Sequence, residues 1–560
     1  MISIKKIVLF GYTLSLLIII TLGLGVTTGI KGAITWGPTN DFWAISIALS
    51  KIEYGLNGYL GYKEVSQKLA NDLSSTKSDT NVGDLETRDL VQIPELITAA
   101  IIKAAQLDKS SLKDGDKWSG HYLAYSEDIG FIDYYRIAFS IFGYNAYSGY
   151  NLYILFYVFS LIVLYLRYRS NTACMISALF ISLSIFAAAN SLLMSDLMIS
   201  IGSNRFISTL VFIPLLHIIY EGSLTVKKGI IFRNTLLLIQ VSLIYFIITI
   251  RISAQWAIIF ILFIMLFKIF LIYFKNIKYG LKRVLSYKAA NYSYLVLMVI
   301  FLGFSYRMIQ NFNVDKIYHS QDMMPHHLVW HSAFIGLNQH PKWNDNLPYK
   351  NLYGAGGDSI PFIVTNNVLE GSGISIVGGA GGSGGTKNRL HDEIIKKEFF
   401  KFLYNNPKYS LELYLIHKPM AMLSVLQSQY QGTKIYIHYL TFICLLFSLL
   451  MLLKSNKSQF IATSIALTSF FISVFSTLPI LWAYPAPFVL ADQYVAFYNL
   501  ALSLILFSIY LIFYLFTNFR FGFDIKFFRK FIAIVRISDM DFLNGLNKKI
   551  ILYLEKKNII

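Results

Sequence analysis

Long apolar runs joined by short basic connections constrain the fold of this chain more than any other feature of its sequence. A helix needs about 20 mostly apolar residues to cross the hydrocarbon core of a bilayer. Runs that approach or exceed this length lie at 7–30, 150–166, 173–190, 206–220, 235–250, 254–274, 291–309, 436–453, 460–480 and 494–516. Composition agrees, because 55% of the 560 residues are hydrophobic and only 14% are charged, against roughly 25% charged in soluble domains. The sequence therefore predicts an all-α integral membrane protein with about ten transmembrane helices.

The first apolar run, residues 7–30, is predicted to stay in the protein as a membrane helix. A signal peptide is the alternative, since Lys5 and Lys6 give the run a basic start. However, the run is longer than the roughly 7–15 apolar residues of a signal peptide, and no A-x-A-like cleavage site follows it.

Charge is distributed unevenly along the chain and gives the predicted topology. The net charge is +18, yet acidic residues concentrate in two long loops, while Lys and Arg concentrate in short connections and in the C-terminal tail. Membrane proteins carry such an excess of Lys and Arg on the cytoplasmic side, so we expect both termini in the cytoplasm and no binding of nucleic acid. The basic residues of the predicted cytoplasmic connections are Arg167, Arg169, Lys227, Lys228, Arg233, Lys275, Lys278, Lys282, Arg283, Lys288, Lys454 and Lys457.

The predicted layout has six segments. They are a first transmembrane helix (1–30), a first extracytoplasmic loop (31–148), transmembrane helices 2–7 (149–309), a second extracytoplasmic loop (310–432), transmembrane helices 8–10 (433–516) and a basic amphipathic tail (517–560) on the cytoplasmic leaflet.

Both long loops contain amphipathic segments with helical spacing. In the first loop these are 41–54, 92–105 and 128–142, which we expect to be interfacial helices. In the second loop, 325–339 and 391–405 are predicted helices.

Two further loop segments are polar or glycine-dense. The Ser-, Thr- and Asp-rich segment 72–89 is predicted to be a mobile loop. The glycine-dense segment 371–386 is either a lid or a plain spacer, because it lacks the GK[ST] ending of a phosphate-binding loop.

The order of these segments resembles the GT-C class of membrane glycosyltransferases. One transmembrane helix is followed at once by a long outer loop with an acid in an amphipathic segment, here Asp41 in WGPTNDFWAISIAL, and a second large outer loop comes late. The resemblance implies an inverting enzyme that transfers a sugar from a polyprenyl-phosphate-linked donor to a glycan, lipid or protein acceptor. It also implies that an acid of the first loop is essential for catalysis or for binding a divalent metal, the only cofactor considered.

Two segments, EDIGFIDYYRIAFSIFG (127–143) and WHSAFIGL (330–337), resemble uncharacterised multi-pass bacterial membrane proteins. We therefore expect the extracytoplasmic face of a bacterial cytoplasmic membrane as the site of reaction. The chain departs from the best-known GT-C patterns in lacking a DxD pair or a WWDYG-like motif.

Two other functions compete with this one. An O-antigen polymerase or ligase is favoured by Arg389 and the histidines of the second loop, but not by a long loop directly after the first helix. A transporter or flippase ranks last, because the sequence has no internal repeat and almost no ionisable residues inside the predicted spans.

The candidate catalytic acids lie at the two ends of the first loop. Asp41 follows the first span by about ten residues, so it should lie near the membrane plane, where a lipid-linked phosphate would sit. Such a carboxylate can take the proton of an acceptor hydroxyl, and a helix N-cap is the alternative role. Glu127 and Asp128 can complete a metal site, bind sugar hydroxyls or cap the helix that follows.

The candidate phosphate-binding cations lie near the outer ends of predicted spans. Arg251 interrupts apolar sequence at the end of the span 235–250, and a charge there is costly unless it is paired or functional. Arg136 and Lys418 are weaker candidates. Snorkelling to lipid headgroups is the alternative for all three.

Seven of the ten histidines lie in the second loop, namely His319, His326, His327, His331, His340, His391 and His417. The spacing of His327 and His331 puts both on one face of a helix, as in zinc sites, although the HExxH glutamate is absent. Substrate hydrogen bonding or proton shuttling is a second role, and ordinary loop polarity is a third.

The predicted topology can be tested with two fusion proteins. A reporter fused after Lys282 should report the cytoplasm, and one fused within 76–84 should report the outer side, because the charge asymmetry places these segments on opposite sides. If both fusions reported the same compartment, the number of spans would be wrong.

Overall fold

The computed structural model describes residues 40–56, 61–75, 94–112, 129–169, 171–193, 202–221, 230–275, 329–340, 343, 359–374, 376, 385–420, 457–482 and 490–518. Every regular element in these residues is helical. The α-helices are α1 (Asn40–Tyr54), α2 (Lys63–Ser75), α3 (Pro94–Ala105), α4 (Ile129–Phe142), α5 (Ser148–Tyr168), α6 (Thr172–Leu193), α7 (Asn204–Ile207), α8 (Phe212–Glu221), α9 (Ile230–Ile250), α10 (Trp256–Lys275), α11 (Val329–Ile335), α12 (Ser359–Val368), α13 (Gly385–Asn405), α14 (Pro407–Glu412), α15 (Lys457–Ser476), α16 (Leu478–Trp482) and α17 (Leu490–Asn518).

Three helical stretches are long and apolar enough to cross a membrane, namely Ser148–Tyr168, Thr172–Ala189 and Ile231–Ile250. At about 1.5 Å of rise per residue, each is close to the roughly 30 Å thickness of the hydrocarbon core. The helices predicted at 150–166, 173–190 and 235–250 are thus confirmed.

Other predicted spans are helical over part or all of their length or fall outside the described residues. The run 254–274 begins in the 3₁₀ turn Ile252–Gln255 and continues in α10, the run 494–516 lies in α17, and 460–480 is divided between α15 and α16. The runs 7–30, 291–309 and 436–453, and the tail from 519 onward, lie outside the described residues. The total of about ten spans stays a prediction.

The predicted span 206–220 is not one continuous helix. It is divided into α7, a 3₁₀ turn at Ser208–Val211 and α8. Pro214 explains the division, because it has no N–H to donate to the carbonyl group of Leu210, and its ring would clash with that carbonyl in a continuous α-helix. The tighter 3₁₀ turn relieves this conflict.

Buried polar side chains join the long helices to each other. The Ser160 hydroxyl on α5 donates to Gln240 Oε1 on α9 (2.7 Å), and Gln240 Nε2 donates back to the Ser160 carbonyl (2.8 Å). Ser469 of α15 bonds Ser503 of α17 (2.7 Å), and Ser473, one turn later on α15, donates to the Ala496 carbonyl, earlier on α17 (2.9 Å), so these two helices run antiparallel. Side-chain hydrogen bonds of this kind hold helices together where apolar surface gives no preference for a partner.

The four helices of the first loop share one core with the long helices. Residues 44–50 of α1 are all buried, and a hydrogen bond between the hydroxyls of Ser46 and Ser66 (2.9 Å) joins this helix to α2. Tyr134 of α4 donates to the Gly149 carbonyl at the start of α5, and Gly130 lies against Thr249 near the end of α9. The first loop therefore covers one end of the bundle, where α5 begins and α9 ends, which we call the loop end.

The helices predicted in the first loop at 41–54, 92–105 and 128–142 are confirmed as α1, α3 and α4. Helix α2 was not predicted, and the prediction of a mobile loop at 72–89 is wrong for residues 72–75, which belong to this helix. Val65 and Leu69 explain the helix, because they lie one turn apart and both are fully buried. Residues 76–89 lie outside the described residues.

The second-loop helices form a separate small core. The predicted helix 325–339 is confirmed from Val329, continuing as a 3₁₀ turn to Gln339, and 391–405 is confirmed within the longer α13. The glycine-dense segment is described at 371–374, 376 and 385–386, and its role as lid or spacer stays open.

Trp482 connects the second-loop core to the bundle. Its ring packs against Trp330 of α11 (centroids 4.9 Å apart), and its Nε1 donates to the Val329 carbonyl (3.3 Å). Trp482 ends α16, which follows α15 on the side where α17 begins. Because the start of α17 also contacts the start of α10, the second loop lies at the loop end as well.

The contact at Gly130 gives a testable prediction about stability. A Cβ atom there would lie 2.1 Å from Thr249 Oγ1 and 2.6 Å from the Thr249 carbonyl carbon, so α4 and α9 would have to separate. We expect Gly130→Ala to destabilise the protein by about 1–3 kcal/mol, as overpacking does, measured as a lower Tm in detergent. Ser140→Ala, at an exposed position of the same helix, is the control and should change the Tm little.

Candidate functional site

A buried carboxylate joins three helical segments at the loop end. Asp492, in the first turn of α17, accepts a hydrogen bond from the Ser208 hydroxyl (2.7 Å) on one oxygen and from Trp256 Nε1 (2.9 Å) on the other. All three side chains are almost fully buried. A buried carboxylate is tolerated when its oxygens are hydrogen-bonded and a positive charge is near.

Arg251 supplies the nearby positive charge. It is extended (φ −144°, ψ 107°) between α9 and the 3₁₀ turn Ile252–Gln255, and its side chain is buried. Its guanidinium interacts electrostatically with Asp492. The expectation that a charge at this position is paired or functional agrees with this placement. Any anion bound at Arg251 would have to share its positive charge with Asp492.

Two histidines of the second loop form a buried pair. His331 Nδ1 of α11 lies 2.9 Å from His391 Nε2 of α13, and His391 Nδ1 lies 2.7 Å from the Thr365 hydroxyl of α12. Asp392 accepts hydrogen bonds from the backbone N–H groups of Trp330 (2.8 Å) and His331 (3.4 Å). Burial lowers the pKa of His391 to about 4, and the neighbouring His331 ring contributes to this lowering by a smaller amount. His391 is therefore neutral at pH 7.

Lys418 also contacts Trp482, whose ring packs on Trp330 next to His331. Its Nζ donates to the Trp482 carbonyl (3.1 Å) and lies 5.1 Å from the centre of the Tyr414 ring. Burial lowers the pKa of Lys418 to about 7, so an anion next to Nζ would stabilise the charged form. Trp482 thus brings two predicted site residues, Lys418 and His331, to one part of the second loop.

A π-helical turn, Leu413–His417, precedes Lys418, and the Lys418 N–H bonds the Leu413 carbonyl. Beside it, His340 Nε2 lies 3.1 Å from Glu412 Oε2, and the His340 ring packs on His417 (centroids 4.4 Å apart). Single π turns inside α-helices occur often at functional sites. The turn and the two histidines make this a second polar cluster of the loop.

The remaining predicted site residues are dispersed or not described. Arg136 of α4 is half exposed and pairs with Asp133 (3.3 Å), one turn away, so it faces a carboxylate rather than an open anion site. Asp41 is the second residue of α1, and Arg389 lies in α13; their side chains lie outside the described part. Glu127, Asp128 and His327 also lie outside the described residues.

At the opposite end of the bundle, an unexpected ionisable cluster surrounds Glu221, the last residue of α8. Arg167 donates to both of its oxygens (3.1 and 3.2 Å), Tyr168 donates to one (2.6 Å), and Arg233 is paired with it. His217, one turn earlier, is also buried, with Nε2 3.7 Å from Glu221. Arg167, Glu221 and Arg233 lie just outside the predicted spans 150–166, 206–220 and 235–250, so only His217 of this cluster falls inside one.

Asp492 was not predicted as a site residue, and His391 was named only as one of the seven histidines of the second loop. A signal for Asp492 existed, because it stands just before the predicted last span, at the same side of the membrane as Arg251. The partners of His391 gave no signal, since 60 residues separate it from His331. Within the described residues, no group of three His, Cys, Asp or Glu side chains is placed to hold a metal ion.

Comparison of the chain with protein families, curated proteins and solved structures finds no match.

The loop-end carboxylate gives a testable prediction. Asp492→Asn removes the charge opposite Arg251 and places an N–H₂ group toward a buried donor, so it should destabilise the protein by about 1–3 kcal/mol. The measurement is the Tm of the purified protein in detergent. Asp108→Asn, at an exposed N-cap where Asn serves equally well, should leave the Tm unchanged. An equal Tm for Asp492→Asn would mean that the carboxylate is not needed for packing.

Proposed function

We propose that this protein is a membrane glycosyltransferase that moves a sugar from a polyprenyl-phosphate-linked donor to a hydroxyl group of a glycan, lipid or protein. In this proposal the chain has about ten transmembrane helices, lies in a bacterial cytoplasmic membrane with both termini in the cytoplasm, and reacts on the outer face.

The observation that carries the proposal is the assembly of both long loops at one end of an apolar helical bundle. The first loop covers the ends of α5 and α9, and the second loop is attached through Trp482. A lipid-linked sugar presents its phosphate at the membrane surface, with its chain in the bilayer. Polar loop residues above apolar helices are suited to bind both parts.

The reaction requires one displacement at the anomeric carbon of the donor sugar. The acceptor oxygen forms a bond to that carbon, the bond from carbon to phosphate oxygen breaks with its electron pair, and the acceptor proton passes to a base. Inversion follows from a single displacement. The protein must therefore supply a cation for the phosphate and a base for the proton.

Arg251 is the cation that we assign to the phosphate. It is buried at the loop end, at the end of a helix long enough to span the bilayer. At reduced dielectric a guanidinium attracts phosphate strongly and can bind two of its oxygens. The negative charge of Asp492 lies near enough to interact electrostatically with this guanidinium. Lys418 is a second cation of the same end.

Asp41 is the acid that the GT-C resemblance selects. It lies in the first turn of α1, a helix of the loop that covers the loop end. A divalent metal bound with Glu127 or Asp128 is an alternative role for this carboxylate. Each of these roles requires the acid at the loop end.

A polymerase or ligase of O-antigen type is the second candidate function. The buried histidine pair in the second loop, on the same helix as Arg389, favours it. The two functions differ in product, because a transferase adds one sugar and a polymerase or ligase adds a whole oligosaccharide. The mass of the product therefore separates them.

The assignment of Arg251 can be tested by ligand-induced stabilisation. Polyprenyl monophosphate, the released carrier, should raise the Tm of the wild-type protein in nanodiscs, as any ligand specific for the folded state does. We expect Arg251→Ala to abolish this rise. Arg251→Lys should retain part of it, because the charge is kept but the two-point geometry is lost.

The control for this test is Lys103→Ala, which removes an exposed cation of the first loop and should leave the rise unchanged. A full rise in Arg251→Ala would exclude Arg251 as the phosphate ligand. Transfer itself is assayed with a panel of radiolabelled polyprenyl-phosphate hexoses and a membrane lipid extract as acceptor. No transfer from any donor of the panel would count against the proposed function.

A further inference from the structure

The segment 409–420 of the second loop exposes only large apolar side chains. It comprises most of α14, the π turn Leu413–His417 and the three helical residues that follow. Its exposed residues are Leu411 (61% exposed), Leu415 (71%), Ile416 (53%) and Met420 (59%). We call these four residues the apolar face. A contiguous group of exposed apolar side chains usually marks a surface that contacts a protein or a membrane.

The preceding helix, α13, has a different surface. Its exposed residues include Glu393, Lys396, Lys397 and Lys401, which are suited to contact with water. Both α13 and the segment 409–420 bury side chains in the same small core of the second loop. One compact unit therefore carries charge on one helix and uninterrupted apolar surface on the next.

The acidic, basic and histidine side chains of the segment 409–420 are bound within the protein. Glu412 Oε2 lies 3.1 Å from His340 Nε2, and the ring of His417 packs on that of His340 (centroids 4.4 Å apart). Lys418 is fully buried and donates to the Trp482 carbonyl (3.1 Å). The apolar face thus contains no charged group.

The π turn explains why Lys418 is buried. Lys418 follows Leu411 by seven residues, about two turns of a regular α-helix, so the two would otherwise share one face. In the π turn the Lys418 N–H bonds the Leu413 carbonyl, five residues earlier. The extra residue rotates the chain that follows by roughly 100°. Lys418 therefore turns toward Trp482, and Met420, five residues after Leu415, continues the apolar face.

Trp482 places this segment beside the apolar surface of the helical bundle. It ends α16, directly after α15, and both Trp482 and Val474 of α15 are exposed apolar residues. Tryptophan is enriched at the boundary between lipid and water. The segment also precedes the predicted span 436–453, so the chain is expected to return to the bilayer soon after Met420.

A comparable exposed surface is present on α5, one of the three helices long enough to cross a membrane. Its exposed large apolar residues are Leu155, Phe159, Ile162 and Leu166. They recur at intervals of three or four residues, as on a helix that presents one side to lipid. The apolar face of the second loop has the same chemistry and lies at the loop end of the same bundle.

We propose that the apolar face enters the lipid leaflet at the loop end, so that the segment 409–420 is an interfacial helix that anchors the second loop to the bilayer. A helix of this kind buries its apolar side roughly 5–10 Å into the boundary between headgroups and acyl chains. The charged surface of α13 stays in water. The anchor holds the small core of the second loop, and Lys418 with it, at the bilayer surface, and it does not depend on the proposed transferase function.

Spin labels report what surrounds the apolar face. A nitroxide is attached to Leu411→Cys, Leu415→Cys or Lys397→Cys, each combined with Cys174→Ala and Cys444→Ala, in vesicles of phosphatidylcholine. Oxygen concentrates in lipid and a nickel chelate stays in water, so each reagent relaxes the labels that it reaches. We expect the labels at the two leucine positions to be relaxed by oxygen and protected from nickel. The label at Lys397, on the charged helix, should show the reverse.

The two reagents together distinguish the possible surroundings. Relaxation of the Leu411 and Leu415 labels by the nickel chelate would place the apolar face in water and overturn the proposal. Protection from both reagents would mean that a second copy of the chain, or another part of it, covers this face, which would also overturn the proposal. Equal behaviour of the Leu415 and Lys397 labels would do the same.

A charge added to the apolar face tests whether this face holds the segment in the leaflet. With a label at Leu411, Leu415→Glu should lower the effect of oxygen and raise that of nickel several-fold, because an ionised carboxylate is costly to bury in lipid. Lys397→Glu, at an exposed position of α13, is the matched control and should change neither effect. An unchanged Leu411 label in Leu415→Glu would overturn the proposal.

Met420 allows a measurement on the unaltered chain. Hydroxyl radicals generated in water oxidise methionine, and mass spectrometry locates the product. In nanodiscs we expect Met420 to be oxidised several-fold more slowly than the same methionine in a free peptide, although more than half of its side chain is exposed in the protein itself. Oxidation at the rate of the peptide would overturn the proposal, even if the cysteine variants failed to fold.

Discussion

The Asp492 carboxylate is the interaction on which the loop end of this protein depends. It receives hydrogen bonds from a turn between α7 and α8 and from the start of α10, and it faces the charge of Arg251 at the end of α9. In an apolar bundle a charge of this kind is stable only if every partner is in place. The positions of four chain segments are therefore coupled at the surface on which both loops are built.

At the opposite end of the bundle, a second buried carboxylate is also paired, by different residues. Glu221 is satisfied by Arg167, Arg233 and Tyr168, where α5 and α8 end and α9 begins. The long middle of the bundle is joined by neutral pairs such as Ser160 with Gln240. Charges at the ends and neutral contacts between them are what a bilayer-spanning bundle requires, because an unpaired charge costs most at the centre.

The sequence was informative where local pattern decides structure. Apolar length predicts α5, α6 and α9, and amphipathic spacing predicts α1, α3, α4 and α13. Prediction from the sequence failed where a single residue interrupts a helix or where a contact joins residues far apart in the chain. Pro214 divides an apolar run that hydropathy alone shows as continuous. The pairing of His331 with His391 arises only when α11 and α13 pack together, and no local signal reports it. The sequence showed that a charge at Arg251 is costly in free energy unless it is paired. Its partner, Asp492, lies 241 positions further along the chain.

The buried histidine pair also shows why burial changes what a residue can do. An exposed histidine exchanges its two tautomers and accepts a proton at either nitrogen. In the second loop, the single hydrogen of Thr365 is committed to a carbonyl, and this commitment passes through His391 to His331. Thus one hydroxyl sets the direction of both hydrogen bonds that join the three side chains. This order depends on the small core of the second loop, which includes Phe334, Ile395 and Phe399 and keeps the three helices together.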